Sequence, residues 1–215
     1  MHKEYDRLQM QYRTVLKDAT AEIEEKKSRF IANVKPVTSE EEAVEFINNL
    51  KAKYWDASHN VYAYFISGES IIQRFSDDGE PSGTAGIPVL EVIKRMELQD
   101  LVVVVTRYFG GILLGAAGLV RAYSKSASLG IEAAGIITKK LCQLVNIIID
   151  YSTLGKIQNK IINMGYTIKS IRYTQDVEID VLVPVKDVEM FIESVNDAAN
   201  GNVLADTGEK EYVII

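Results

Sequence analysis

The run DDGEPSGTAG at 77–86 packs three acids, three glycines and two hydroxyls into ten residues. Asp77, Asp78 and Glu80, with Ser82, Thr84 and the loop carbonyls, are oxygen donors of the kind that hold a divalent cation. The spacing lacks the longer ligand ladder and closing glutamate of an EF-hand, so the chemistry left open is a binding loop. The same composition also suits a tight solvated turn, with glycines at positive φ and Asp and Ser making side-chain turns. The two readings stand level. A second concentration, TRYFGG at 106–111, closes an apolar run. Arg107 at a strand end could meet a phosphate or carboxylate with both arms of its fork, or pair with an acid of the 77–80 loop. Tyr108 and Phe109 could stack on a base or pack in the core.

The segment that follows, GGILLGAAGLVR at 110–121, carries Gly110, Gly111, Gly115 and Gly118 ahead of a helix, with Arg121 and Lys125 one turn apart on it. Free amides at a helix start favour anions. The segment has neither Gly-Lys-Ser/Thr nor GxGxxG, so it matches neither common phosphate loop, and its small residues equally suit close packing on a sheet. Apart from His2, His59 in DASHN is the chain's one histidine, hence its one imidazole for proton transfer in the body of the protein. Ser82, His59 and Asp77 or Asp78 make a triad on paper only, because no GxSxG elbow is present and Ser82 follows a proline.

Elements that could position these residues follow from hydrophobic period and turn residues. Alternation over 20–37 predicts a strand or strand pair. Ser39 ahead of three glutamates predicts a capped helix over 39–54. Runs at 60–66 and 70–75 around Ser67-Gly68-Glu69 read as a hairpin. A helix with Pro88 in its first turn spans 87–97. The stretch 101–109 is apolar on both faces and therefore a central strand. A helix then reaches about Ala134. After Gly135 the order is strand 139–150, helix 153–164, strands 166–173 and 176–183, helix 186–199 and strand 203–214, a β-α-β-β-α-β pattern. The expected division is an extension over 1–19, one domain over 20–135 and a second over 136–215.

The chain has 215 residues, 47% hydrophobic and 25% charged, with a formal net charge of −6. That composition excludes wholesale disorder and a strongly basic nucleic-acid binder, so contact with RNA would need a local basic face. The single cysteine, Cys142, allows no internal disulfide and no cysteine-built zinc site, and its apolar surroundings predict a buried thiol. The N-terminal residues lack the apolar core of a signal peptide, and the longest apolar runs are strand-sized. The expectation is a cytoplasmic protein with no membrane segment, no cofactor and no metal.

The blocks RFSDDGEPSGTAGIPVLEVI and VVVVTRYFGGILLGAAGLVRAYS, together with KKSRFIANV and DASHNVYAY, resemble the YigZ/IMPACT family from about Tyr12 onward. One departure stands at Ala117, where the family pattern usually has glycine. The family also normally starts near Tyr12–Val15, which makes residues 1–9 an extension and Met10 the natural initiator. The resemblance implies an α+β chain of two domains. The first is an Impact domain with the ribosomal protein S5 domain 2-like fold. The second is DUF1949-type and ferredoxin-like, similar to the last domain of elongation factor G. It further implies a non-enzymatic, translation-linked regulatory protein that contacts RNA, the ribosome or a translation-regulator protein. Asp77, Asp78, Glu80, Ser82, Thr84, Arg107, Tyr108, Gly110, Gly111, Gly115, Gly118, Arg121 and His59 are the candidate binding residues. The alternative is a peptidase-like hydrolase using the 77–84 loop with His59 or a metal.

Overall fold

A computed structural model describes residues 9–68 and 70–214. The chain divides into two compact units, one over 12–138 and the other built from 139–214 with residues 9–11. In the first unit β1 (Gln11–Val15) leads into a hairpin of β2 (Ala19–Glu25) and β3 (Ser28–Pro36). Lys26 and Lys27 make its turn with φ of 46° and 65°, the two positive values that a two-residue hairpin turn of this hand requires. Helix α1 (Glu40–Lys53) starts where Ser39 accepts a hydrogen bond from the Glu42 amide at 3.2 Å. A second hairpin, β4 (His59–Ser67) and β5 (Ile71–Ser76), precedes α2 (Gly86–Arg95), β6 (Leu101–Tyr108) and α3 (Ala116–Ala134).

The strands form an antiparallel sheet in the order β2-β3-β6-β4-β5. β6 lies in the middle, as continuous apolarity demands. Its Val102 and Val104 pack under α1 with Ala43, Ile47 and Leu50. Leu101, Val103 and Val105 face the opposite way, into a core with α2 and α3. Arg107 continues that second face by the two-residue alternation of a strand, which delivers a guanidinium beside the first turns of α3.

In the second unit the elements are β7 (Ile136–Ile149), α4 (Leu154–Asn163), β8 (Thr167–Tyr173), β9 (Val177–Pro184), α5 (Val188–Ala198) and β10 (Val203–Ile214); β10, β7, β9 and β8 pair antiparallel in that order, and β1 joins the same sheet on β7. Ile157 and Ile161 of α4 and Phe191 and Val195 of α5 cover Val145, Ile147, Ile179 and Val181. Cys142 is buried, and burial pushes its thiol pKa up, away from reactivity.

Two boundaries differ from those read in the sequence. The stretch 1–19, expected as an extension, holds β1 and the start of β2, while residues 1–8 lie outside the described residues. QYRTV carries no run of alternation long enough to announce a strand; its pairing partners, Leu98 and β7, are distant in sequence. Gly135 does end α3, at φ 74°, but β7 begins at once, and the compact units part after Thr138.

Candidate functional site

The loop at 77–86 is organised by Asp77. One carboxylate oxygen accepts from the Ala85 and Gly86 amides at 3.1 and 2.8 Å, the other from Gly83 at 2.9 Å. This side chain therefore closes the loop and satisfies the first amides of α2, which explains its place ahead of a helix whose own cap, Ala85, has no acceptor. Asp78 is used as well, receiving the Lys51 ammonium at 2.8 Å and the Asn60 amide at 2.6 Å. Thr84 turns its hydroxyl to the Pro81 carbonyl at 2.6 Å, and Ser82 is exposed. The acids are thus committed to holding the loop, and among the described residues no group of three His, Cys, Asp or Glu side chains is placed to hold a metal ion.

Glu80 is the acid that turns inward. Its Oε1 accepts from Arg107 Nη1 at 2.6 Å and from the Tyr123 hydroxyl at 2.8 Å. Glu80 is 8% and Arg107 5% exposed, so this is a buried, charge-assisted pair. Burial and the neighbouring carboxylate push the Tyr123 phenol far above its usual range, which keeps its proton available for donation. Arg107 Nη2 donates to Ser28 Oγ at 3.3 Å, and the guanidinium lies 5.4 and 5.5 Å from the ring centroids of Phe30 and Phe109. Its Nε has no partner. His59 Nδ1 lies 2.8 Å from the Asp78 carbonyl; a carbonyl only accepts, so Nδ1 carries the proton in the neutral ring. Nε2 then points toward Glu80, 3.8 Å from Oε1.

Of these groups His59, Glu80 and Arg107 line a cavity of about 380 Å³, whose other walls come from Gly79, Pro81, Phe109, Leu113, Leu114, Gly115, Ala116 and Leu119. Gly115 opens α3 at φ 70°, a conformation that costs a residue with a Cβ, whereas Ala117 is already helical and needs no glycine. Gly118 sits inside the first helical turn, and Gly111 lies in an exposed turn. Gly110 serves packing rather than anion capture: a Cβ there would stand 2.0 Å from the backbone of Lys27, and its amide donates to Ser28 Oγ at 3.2 Å. Tyr108 donates to Asp56 at 2.8 Å beneath the Arg29 guanidinium, away from the cavity wall.

The structure therefore brings His59, Glu80, Arg107 and Gly115 together on the cavity wall, of which Asp77, Asp78, Ser82 and Thr84 are not part. Arg121 is the clearest correction. It lies on the exposed side of α3 and does not line the cavity, because 121 falls about 200° round the helix from Leu119, which does. Lys125, one turn further, is exposed too. Phe109, read as either base-stacking or core, is 48% exposed and lies against Arg107. Ser28, Phe30 and Tyr123 were missed. Tyr123 was within reach, since 116, 119 and 123 share one helical face. Ser28 and Phe30 come from a distant hairpin, which nothing local signals.

An antiparallel sheet covered by helices, with a buried carboxylate–guanidinium pair beside a largely apolar cavity, defines a mixed α/β protein. The sequence comparisons agree on which one. Residues 26–131 match the Impact N-terminal domain, and residues 147–202 match a domain of unknown function, DUF1949. The chain belongs to the IMPACT family. It is 44% identical over 202 residues to the IMPACT family member YvyE of Bacillus subtilis, covering 94% of this chain and 93% of that protein. The IMPACT family member YigZ of Escherichia coli is 35% identical over 150 residues, with 66% and 74% covered. Protein IMPACT of Xenopus laevis is 39% identical over 98 residues, 43% of this chain but 31% of that one. A solved structure titled as that of a hypothetical protein superposes with a TM-score of 0.60 at 30% identity, over 95% of this chain and all of the other. Among the described residues no helix is long and apolar enough to cross a membrane.

Proposed function

We propose that this is a non-enzymatic, cytoplasmic regulator of translation that binds a partner protein at the cavity of the unit over 12–138. The observation that carries this reading is the make-up of the cavity wall. It is largely apolar, it opens beside exposed Leu113 and Phe109, and among the described residues no Ser, Thr or Cys lines it. A base without a positioned nucleophile supports holding rather than turning over. The strand orders of the two units support S5 domain 2-like and ferredoxin-like folds, which recur in translation proteins; that is an argument by analogy of fold.

Between the expected partners, the geometry favours protein over RNA or the ribosome. The net charge is −6, Arg107 spends its charge on Glu80, and Arg121 stands outside the cavity. The test is a photo-reactive phenylalanine analogue in place of Leu113, irradiated in cells. Adducts with a translation-associated protein that survive ribonuclease are expected. Adducts that collapse under ribonuclease would favour RNA instead. Peptide hydrolysis by the purified chain that Ser82→Ala abolishes would make it an enzyme.

A further inference from the structure

β5 ends the sheet of the unit over 12–138 and is hydrogen-bonded to β4 alone, so one row of its amides and carbonyls faces outward. Folded chains guard such an edge with charges or a bulge. β2, at the opposite edge of the same sheet, carries Glu22, Glu24 and Glu25. β8 and β10 each combine charged side chains with a break in register. β5, with the sequence IIQRFS, pairs without a break and holds a single charge. That charge, Arg74, is turned back on the Gln73 carbonyl at 3.1 Å and toward Glu40 at 3.8 Å. Among the described residues no further hydrogen bond reaches the backbone of 71–76 from outside the β4 pairing.

The same edge is apolar on one side. Phe75 and Gln73 lie opposite Ala63 and Phe65, which belong to the core with α2 and α3, so Ile71, Gln73 and Phe75 share that side of the sheet. Ile71 is 66% and Phe75 44% exposed there. Unpaired strand groups with an alternating apolar row are the surface that another strand completes. Which strand follows from symmetry, because β5 is its own complement: two apolar residues stand at equal distance on either side of uncharged Gln73. We propose that β5 pairs antiparallel with β5 of a second copy of this chain, about a two-fold axis at Gln73. Ile71 of each copy then lies opposite Phe75 of the other, and Ile72 opposite Arg74. The neighbouring registers are worse. An axis at Arg74 sets the two Arg74 side chains directly opposite each other, where like charges repel. An axis at Ile72 leaves Phe75 outside the pairing and wet.

None of 71–76 lines the cavity, so this pairing does not depend on what enters there. Its test is sedimentation velocity of the full chain over a concentration series. An interface built on six residues a side belongs to the small, transient class, and half-association is expected near about 100 µM. Ile71→Lys combined with Phe75→Lys places like charges opposite each other at both cross-strand pairs and should weaken association at least about tenfold. Ile71→Lys combined with Phe75→Glu places opposite charges at the same two pairs and should recover most of that loss. Both positions are exposed, so the urea midpoints should stay put; if either variant unfolds, the concentration series of the wild type carries the test alone. A chain that stays monomeric at about 500 µM, five times the expected midpoint, would overturn the proposal. So would a dimer that survives the like-charge variant, or an opposite-charge variant that associates no better than it. A photo-reactive phenylalanine analogue in place of Gln73 should link two copies of the chain. Adducts in cells with a different polypeptide and none with a second copy would give the edge to that partner's strand and overturn the proposal as well.

Discussion

The deeply buried guanidinium of Arg107 has Nη1 on Glu80, Nη2 on Ser28 and an aromatic ring on either side, while Nε has no partner among the described residues. The arrangement is worth little as attraction alone, because two ions have been taken out of water, but removing one partner strands the other. Arg107→Met should cost about 3–5 kcal/mol in urea unfolding, and adding Glu80→Gln should recover part of that loss. Additive losses from the two substitutions would show that the pair is not coupled. Asp180 of β9 is a milder case. The Arg172 guanidinium, donating at 2.5 Å, with Asn146 and Ser170, holds its carboxyl down at about 2 from an ordinary 3.8. A depressed acid stabilises the fold above its unfolded value and stops doing so as pH falls through its folded one. The stability advantage of wild type over Asp180→Asn should therefore be full near pH 5, fade from about pH 4 and vanish near pH 2. A constant advantage across that window, measured by urea unfolding, would remove Asp180 as its source.

Elements in this chain are held at their ends by single residues. Gly110 is one such point, where β6 leaves the sheet against the β2–β3 turn. A Cβ 2.0 Å from Lys27 backbone carbon and oxygen cannot be absorbed by a side-chain rotation. Gly110→Ala should lower the urea midpoint by the equivalent of about 1–3 kcal/mol, and an unchanged midpoint would mean that the turn yields freely. Element by element, much of the fold was legible. The both-sided apolarity of 101–105 placed β6 at the centre, Ser39 placed the start of α1, and the six elements after Gly135 appeared in order. What stayed hidden had long-range causes. β1 has too few residues to show a period, and the partners of Arg107 come from three separate stretches. The site was half legible: an acid of the 77–80 loop was expected opposite Arg107, and Glu80 is that acid. Asp77 bonds three loop amides, as the side-chain-turn reading of 77–86 allowed, whereas nothing local signalled Lys51 as the partner of Asp78. Arg121 was misplaced because charge near a glycine loop was weighed without the 100° step that turns it away from Leu119.

Across the whole molecule the chain returns on itself, since residues 9–11 belong with 139–214 and not with the strands that directly follow them. The Leu141 amide donates to the Met10 carbonyl at 2.9 Å, and the Tyr212 hydroxyl donates to the Gln9 carbonyl at 2.8 Å. A chain starting at Tyr12 would keep every element of the unit over 12–138 that surrounds the cavity, yet would take two acceptors from the other unit. Its Leu141 amide should exchange with solvent at least about tenfold faster than in the full chain, because a buried backbone donor without an acceptor opens readily to water. The amides of β6, at Val103 and Val105, should keep their protection, as their partners on β3 and β4 are untouched. Hydrogen exchange read at these three positions separates the outcomes. Unchanged protection at Leu141 would mean that residues 9–11 lie on the second unit without supporting it. Loss at all three would mean that stability passes from the N-terminal segment into both units.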